Sequence, residues 1–170
     1  MGSGQTVILA GRAGAGLTER LLKEQEEVLA ERFPNHFLEQ ARRLARFAVD
    51  EDVCRGICEK AGKNVLEPVG PGGIFGALWR LGEKCASGLV TGFDRIDILQ
   101  EFIEICNALG VNPYTADDPG SVLIAAEEPQ QVTEDLRRAG IPADIIGEMT
   151  EDAARVIMRG DTRCYINKDE

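Results

Sequence analysis

The sequence predicts an α/β fold of the α+β kind, a single two-layer domain in which helices cover a mixed sheet. Three observations carry that expectation. Short apolar runs rich in β-branched residues, such as Thr6–Ala10 and Ser121–Ala126, have the length and composition of buried strands. Between the runs lie segments whose apolar residues recur every three or four positions, as in helices with one buried face. The 170 residues are 44% hydrophobic but only 5% aromatic, enough for one aliphatic core. Strand-like and helix-like segments in alternation argue a layered domain rather than a helical bundle. No internal repeat, low-complexity segment or linker divides the chain, so residues 1–170 read as one domain. Residues 1–4 read as a tag remnant or an unstructured start.

Thr6–Ala10 is the first strand. The glycine-rich turn Gly11-Arg12-Ala13-Gly14-Ala15-Gly16 follows, and a helix is expected from about Thr18, a residue type that caps helices. Leu17, Leu21, Leu22, Val28 and Leu29 predict one amphipathic helix as far as Phe33, closed by Pro34. Phe37, Leu38, Ala41, Leu44, Ala45 and Ala48 line the next helix, whose outer face carries Arg42, Arg43 and Arg46. That basic face reads as solvated or as an anion or partner surface. Asp50 is placed to cap a helix over residues 51–61, closed by Gly62.

The chain is organised around Asn64–Cys85 (NVLEPVGPGGIFGALWRLGEKC). A short strand at Val65–Leu66 leads into Pro68-Val69-Gly70-Pro71-Gly72-Gly73, dense in turn residues. Ile74, Ala77, Leu78 and Leu81 then recur at helical spacing. Strand, glycine turn and helix together aim backbone N–H groups and a positive dipole end at an anion. The same glycines also let a helix start close against a sheet, and both readings stand on spacing alone. The stretch is neither a P-loop nor a dinucleotide fingerprint. If an anion binds, Gly70, Gly72 and Gly73 are the expected donors, with Arg12, the one cation in either glycine loop, on the opposite wall.

Further on, Gly88–Thr91 reads as strand and residues 99–109 as a helix with Phe102, Ile103, Cys106 and Leu109 on one face, stopped by Gly110. Asn112–Gly120 (NPYTADDPG) is a turn-rich loop. Strand Ser121–Ala126, helix 129–139, and strands Ala143–Met149, Arg155–Met158 and 163–167 complete the pattern.

The formal net charge of −10 argues against nucleic acid and anionic membranes, whose affinity for proteins rests on Lys and Arg. Five scattered cysteines and one histidine, His36, supply no metal-ligand spacing, and a reducing, cytoplasmic setting is expected. No segment has the roughly 20 apolar residues of a membrane span.

One resemblance covers essentially the whole chain. Gly72-Gly73-Ile74-Phe75-Gly76-Ala77-Leu78-Trp79-Arg80-Leu81 is similar to the segment after the Asp-x-Thr-x-Gly-Gly signature in the C-terminal domain of the aminoimidazole ribonucleotide (AIR) synthetase-related superfamily. Cys106-x-x-Leu109-Gly110-Val111-Asn112-Pro113, Gly120–Ala125 and Gly140–Met149 follow in the family's order. The Gly-Ala-Leu-Trp run resembles the hydrogenase maturation factor-like branch. In that superfamily, the resemblance implies, an N-terminal domain supplies ATP, magnesium carboxylates and much of the dimer interface. No such domain is expected within residues 1–170. Pro68 and Gly70 stand where the signature has its acid or histidine and its threonine. Cys164 lacks the Pro-Arg-x-Cys setting of the maturation dehydratase. Phosphoryl transfer depends on positioning and charge stabilisation by such groups. The resemblance therefore implies a non-catalytic, stand-alone module linked to hydrogenase maturation that binds a protein or a small anion and forms a homodimer, without catalytic residues, metal or cofactor. The alternative is one half of a split ATP-dependent enzyme that phosphorylates a small metabolite, with ATP and a separately encoded ATP-binding chain completing it.

Overall fold

The structure, a computed structural model, describes residues 4–46 and 48–166. The N-terminal residues 1–3, the end of the last expected strand at Asn167 and the polar tail 168–170 lie outside the described residues. In order the elements are β1 (Thr6–Ala10), α1 (Ala15–Glu24), α2 (Glu26–Arg32), α3 (Asn35–Ala45), α4 (Glu51–Cys58), β2 (Asn64–Pro68) and α5 (Gly73–Cys85). There follow β3 (Gly88–Gly92), a 3-10 turn at Phe93–Arg95, α6 (Gln100–Ala108), β4 (Val122–Ala126), α7 (Pro129–Arg138), β5 (Ala143–Thr150), β6 (Arg155–Arg159) and β7 (Thr162–Tyr165).

The strands form one mixed sheet in the order β2-β4-β1-β5-β3-β6-β7. Only the β3–β6 pair is parallel among the described strands. Alternation along β1 and β4 sends Val7, Leu9, Leu123 and Ala125 to one face, under Ile74, Ala77, Leu78 and Leu81 of α5. Ile8, Ala10, Val122 and Ile124 point the other way, against Cys54 and Cys58 of α4 and Val132 and Leu136 of α7. At the β2-β4-β1 end, helices therefore cover the sheet on both faces. A separate helical cluster joins Leu17 and Leu21 of α1, Leu29 of α2, Leu38 of α3 and Ile105 of α6.

Burial also locks α5 to the edge of the sheet. Glu67 of β2 is 7% exposed, and its carboxylate pairs with Arg80 Nε at 3.0 Å and Lys84 Nζ at 2.9 Å, both on α5. A register shift in β5 opposite Val7 and Ile8 bulges the strand. Gly147 then runs so close to β3 that a Cβ there would overlap the Val90 carbonyl.

Several local expectations change. Thr18 does not cap α1, which begins three residues earlier, at Ala15, behind a left-handed Gly14. Thr18 is instead fully buried within the helix. The single helix expected to Phe33 breaks at Gln25 into α1 and α2. Lys23 to Glu27 are five consecutive polar residues with nothing to bury, so the helix bends there and delivers Leu29 to the core while Val28 stays 41% exposed. On α6 the fully buried residues are Phe102 and Cys106, as expected, and Ile105, whereas Ile103 is half-buried. Asp50 caps α4 as expected, accepting from the Asp52 N–H at 2.7 Å, although α4 ends at Cys58.

Candidate functional site: two glycine loops joined by Asp118

Both glycine loops lie at one end of the sheet. β1 delivers Gly11–Gly14, and β2 delivers Val69–Gly72. The 112–121 loop runs between them before entering β4. Gly11 N–H donates to the Pro142 carbonyl at 2.7 Å, and Val69 N–H to the Ser121 carbonyl at 2.9 Å, so both loops are sewn to their neighbours.

One residue ties the two loops together. The Asp118 carboxylate accepts from Gly14 N–H at 2.6 Å and from Leu17 N–H at 3.0 Å, at the N-terminus of α1. Its own N–H donates to the Gly70 carbonyl at 3.1 Å in the other loop. A helix N-terminus presents unsatisfied N–H groups and favours a negative charge. In this chain the anion at α1 is Asp118, which is 1% exposed. Burial pushes its pKa up to about 6, although the Gly14 and Leu17 N–H groups hold it down. The close approach depends on Gly16, where a Cβ would overlap the Pro119 carbonyl.

The second loop is also bonded internally. Gly73 N–H donates to the Gly70 carbonyl at 2.9 Å, Phe75 N–H to Tyr114 O at 3.2 Å and Gly76 N–H to Gly72 O at 3.0 Å. Arg80 reaches back to the carbonyls of Pro71 and Pro68, at 2.7 and 3.2 Å. Gly72 and Gly73 both take the left-handed conformation, with φ of 77° and 64°. A Cβ on Gly73 would meet the carbonyl oxygens of Tyr114 and Ala116 at 2.5 and 2.8 Å.

Gly70, Gly72 and Gly73 thus stand together at the start of α5, as the spacing predicts. Arg12 occupies the turn after β1, half-buried, its carbonyl accepting from Ala15 N–H at 3.2 Å. Arg12's loop is linked to the Gly70 loop through Asp118. Sequence reasoning missed Asp118. The clustering of acidic and turn residues in NPYTADDPG was visible, but nothing in it distinguishes the buried Asp118 from its exposed neighbour Asp117.

Of the cysteines, Cys54, Cys58, Cys85 and Cys106 are buried and free. Burial pushes the thiols of Cys54 to about 12 and of Cys58 and Cys106 to about 11, which keeps them protonated and unreactive. Among the described residues no group of three or more His, Cys, Asp or Glu side chains is placed to hold a metal ion. No helix among them is long and apolar enough to cross a membrane.

No protein-family model matches the chain. A putative hydrogenase expression/formation protein of Methanocaldococcus jannaschii is 33% identical over 99 residues, which is 56% of this chain and 30% of that protein. Escherichia coli HypE superposes with a TM-score of 0.77 at 16% identity, over 98% of this chain and 50% of that one. A HypE solved in complex with ATP gives 0.72 at 15% identity, over 97% and 50%. Thiamine-monophosphate kinase of Stenotrophomonas maltophilia gives 0.64 at 16%, over 88% and 48%. The chain has the AIR synthetase-related fold, and over 56% of its length its sequence is similar to a putative hydrogenase expression/formation protein. The matching part is the C-terminal-like domain, as the Gly-Gly-Ile-Phe-Gly-Ala-Leu-Trp segment suggests. The matches cover about half the length of the solved relatives and less than a third of the curated one.

Proposed function

We propose that this chain is a non-catalytic binding module of hydrogenase maturation, acting in the cytoplasm and engaging a protein partner or, weakly, a small anion. One observation carries this reading. Asp118 takes up the Gly14 and Leu17 N–H groups at the start of α1, and the chain's own carbonyls take up Gly73 and Phe75 at the start of α5. A loop pair built to cradle a phosphate keeps those donors for the ligand. Here they knit the two loops and the 112–121 segment into a rigid surface. A protein partner is in keeping with a related protein, since a HypE–HypF complex has been solved.

Titration of inorganic phosphate and of ATP, with and without magnesium, tests the reading by amide chemical shifts. The expected result is weak, salt-sensitive and magnesium-independent shifts at Gly70 and Gly72, lost in Gly72→Val. Tight magnesium-dependent ATP binding would overturn it.

A second reading is that the chain is half of a split ATP-dependent enzyme completed by a separate ATP-binding chain. The half-length match to a HypE solved with ATP favours it. Its test is a stable complex with such a chain that gains ATP hydrolysis neither component has alone.

A further inference from the structure

A cavity of about 500 Å³ lies between the 3-10 turn, the C-terminal end of α6 and the tip of the β6–β7 hairpin. Phe93, Ile103, Tyr114, Arg159, Asn107 and Asn112 line it. Its size is that of a small-molecule site, and it joins an apolar body to a few polar groups. Its aromatic wall is Phe93 and Tyr114, with Phe75 behind Tyr114 and outside the lining. The Arg159 guanidinium lies 4.1 Å over the Phe93 ring, Phe93 and Tyr114 follow at 4.8 Å, and Tyr114 and Phe75 at 5.5 Å.

Stacking occupies the flat face of a guanidinium and leaves its in-plane N–H fork for a planar oxyanion. Arg159 is itself exposed and lines the cavity. Asn112 is held at the rim by its own turn, its side-chain oxygen accepting from Tyr114 N–H at 2.9 Å. That leaves its amide nitrogen as a further donor.

Charge restricts the ligand. Among the described residues Arg159 is the only cationic side chain in the lining. The last carbonyls of α6, turned back by Gly110 N–H to Asn107 O at 3.3 Å and Val111 N–H to Cys106 O at 2.9 Å, place the negative end of a helix beside it. One cation next to a negative helix end suits a monoanion and opposes a polyphosphate.

We propose that this cavity binds a small planar monoanion, an aromatic carboxylate, with its ring against Phe93 and Tyr114 and its carboxylate on Arg159. The site adjoins the second glycine loop through Tyr114, but Gly70, Gly72, Gly73 and Arg12 are not in its lining, and it stands independently of the function proposed above.

Calorimetry and amide shifts on the full chain test it with 2-naphthoate, uncharged 2-naphthol and non-aromatic cyclohexanecarboxylate. Naphthoate is expected to shift the amides of Asn107, Gly110, Tyr114 and Arg159. Naphthol and cyclohexanecarboxylate should each bind about tenfold or more weakly, lacking the charge or the stacking. Arg159→Gln should weaken naphthoate by about tenfold and leave naphthol unchanged. Absence of binding, equal affinity for naphthoate and naphthol, shifts confined to other regions, or an unaltered Arg159→Gln would each overturn the proposal. If Arg159→Gln loses both ring probes, Arg159→Lys, which keeps the charge, decides. Retained preference for the acid supports the site, and equal affinities overturn it.

Discussion

Asp118 is a buried carboxyl at the sheet end, 1% exposed. Through three hydrogen bonds it joins the turn before α1, the turn before α5 and the entry to β4. Asp118→Ala orphans two buried N–H groups, and urea unfolding at pH 7 should show a loss of about 1–3 kcal/mol. The pH dependence has a definite sign. The folded pKa, about 6, lies above the ordinary value of 3.8, so the native state holds the proton more tightly than the unfolded chain. The resulting stabilisation is complete below the ordinary value and is lost as pH rises through 6. Asp118→Asn lacks this titration. The stability of the wild type relative to Asp118→Asn should therefore be greater at pH 5 than at pH 7, and a difference independent of pH would contradict the burial assigned to the carboxyl.

At the scale of elements, the glycines divide by what surrounds them. Gly16 faces the Pro119 carbonyl, so Gly16→Ala must push apart α1 and the 112–121 loop and should cost about 3 kcal/mol or more. Gly56, inside α4, has open space where a Cβ would go, and Gly56→Ala should raise the melting temperature, stabilising by about 0.5–1 kcal/mol. Paired thermal melts of these two variants check the loop packing directly. Helix α5 is held by both apolar and ionic contacts. Leu78 is fully buried between α5 and the sheet, and Leu78→Ala should cost about 2–5 kcal/mol. Glu67→Gln, which breaks the clamp to Arg80 and Lys84, should cost less, about 1–2 kcal/mol, because both partners are exposed enough to recover water. Equal losses for the two would mean that the clamp, and not the apolar face, fixes the helix.

At the scale of the whole molecule, the relatives carry about twice this length. A domain of this fold working beside another buries surface against it, and residues 1–170 taken alone are expected to cover such surface by pairing with a second copy. Light scattering across a concentration series should give the mass of a homodimer. A monomer at every concentration would leave the surface to a different protein partner.

The fold was legible from local pattern. Thr6–Ala10, Gly88–Thr91, Ala143–Met149 and the spacing of Ile74, Ala77, Leu78 and Leu81 each stated their own structure, because burial on one face of a strand or helix leaves a periodic trace in the chain. The glycine loops were legible for a similar reason, since left-handed turns at Gly14 and Gly72 are reserved for residues without a Cβ. The partners of those loops were not. Asp118 lies 104 residues from Gly14, and no local pattern records which donor a carboxylate will meet once β1 and β4 are adjacent. The burial of Thr18 and the gathering of Phe93, Tyr114 and Arg159 around one cavity share that origin. They are settled by which elements the sheet order brings together, and that order is a property of the packed chain rather than of any window within it.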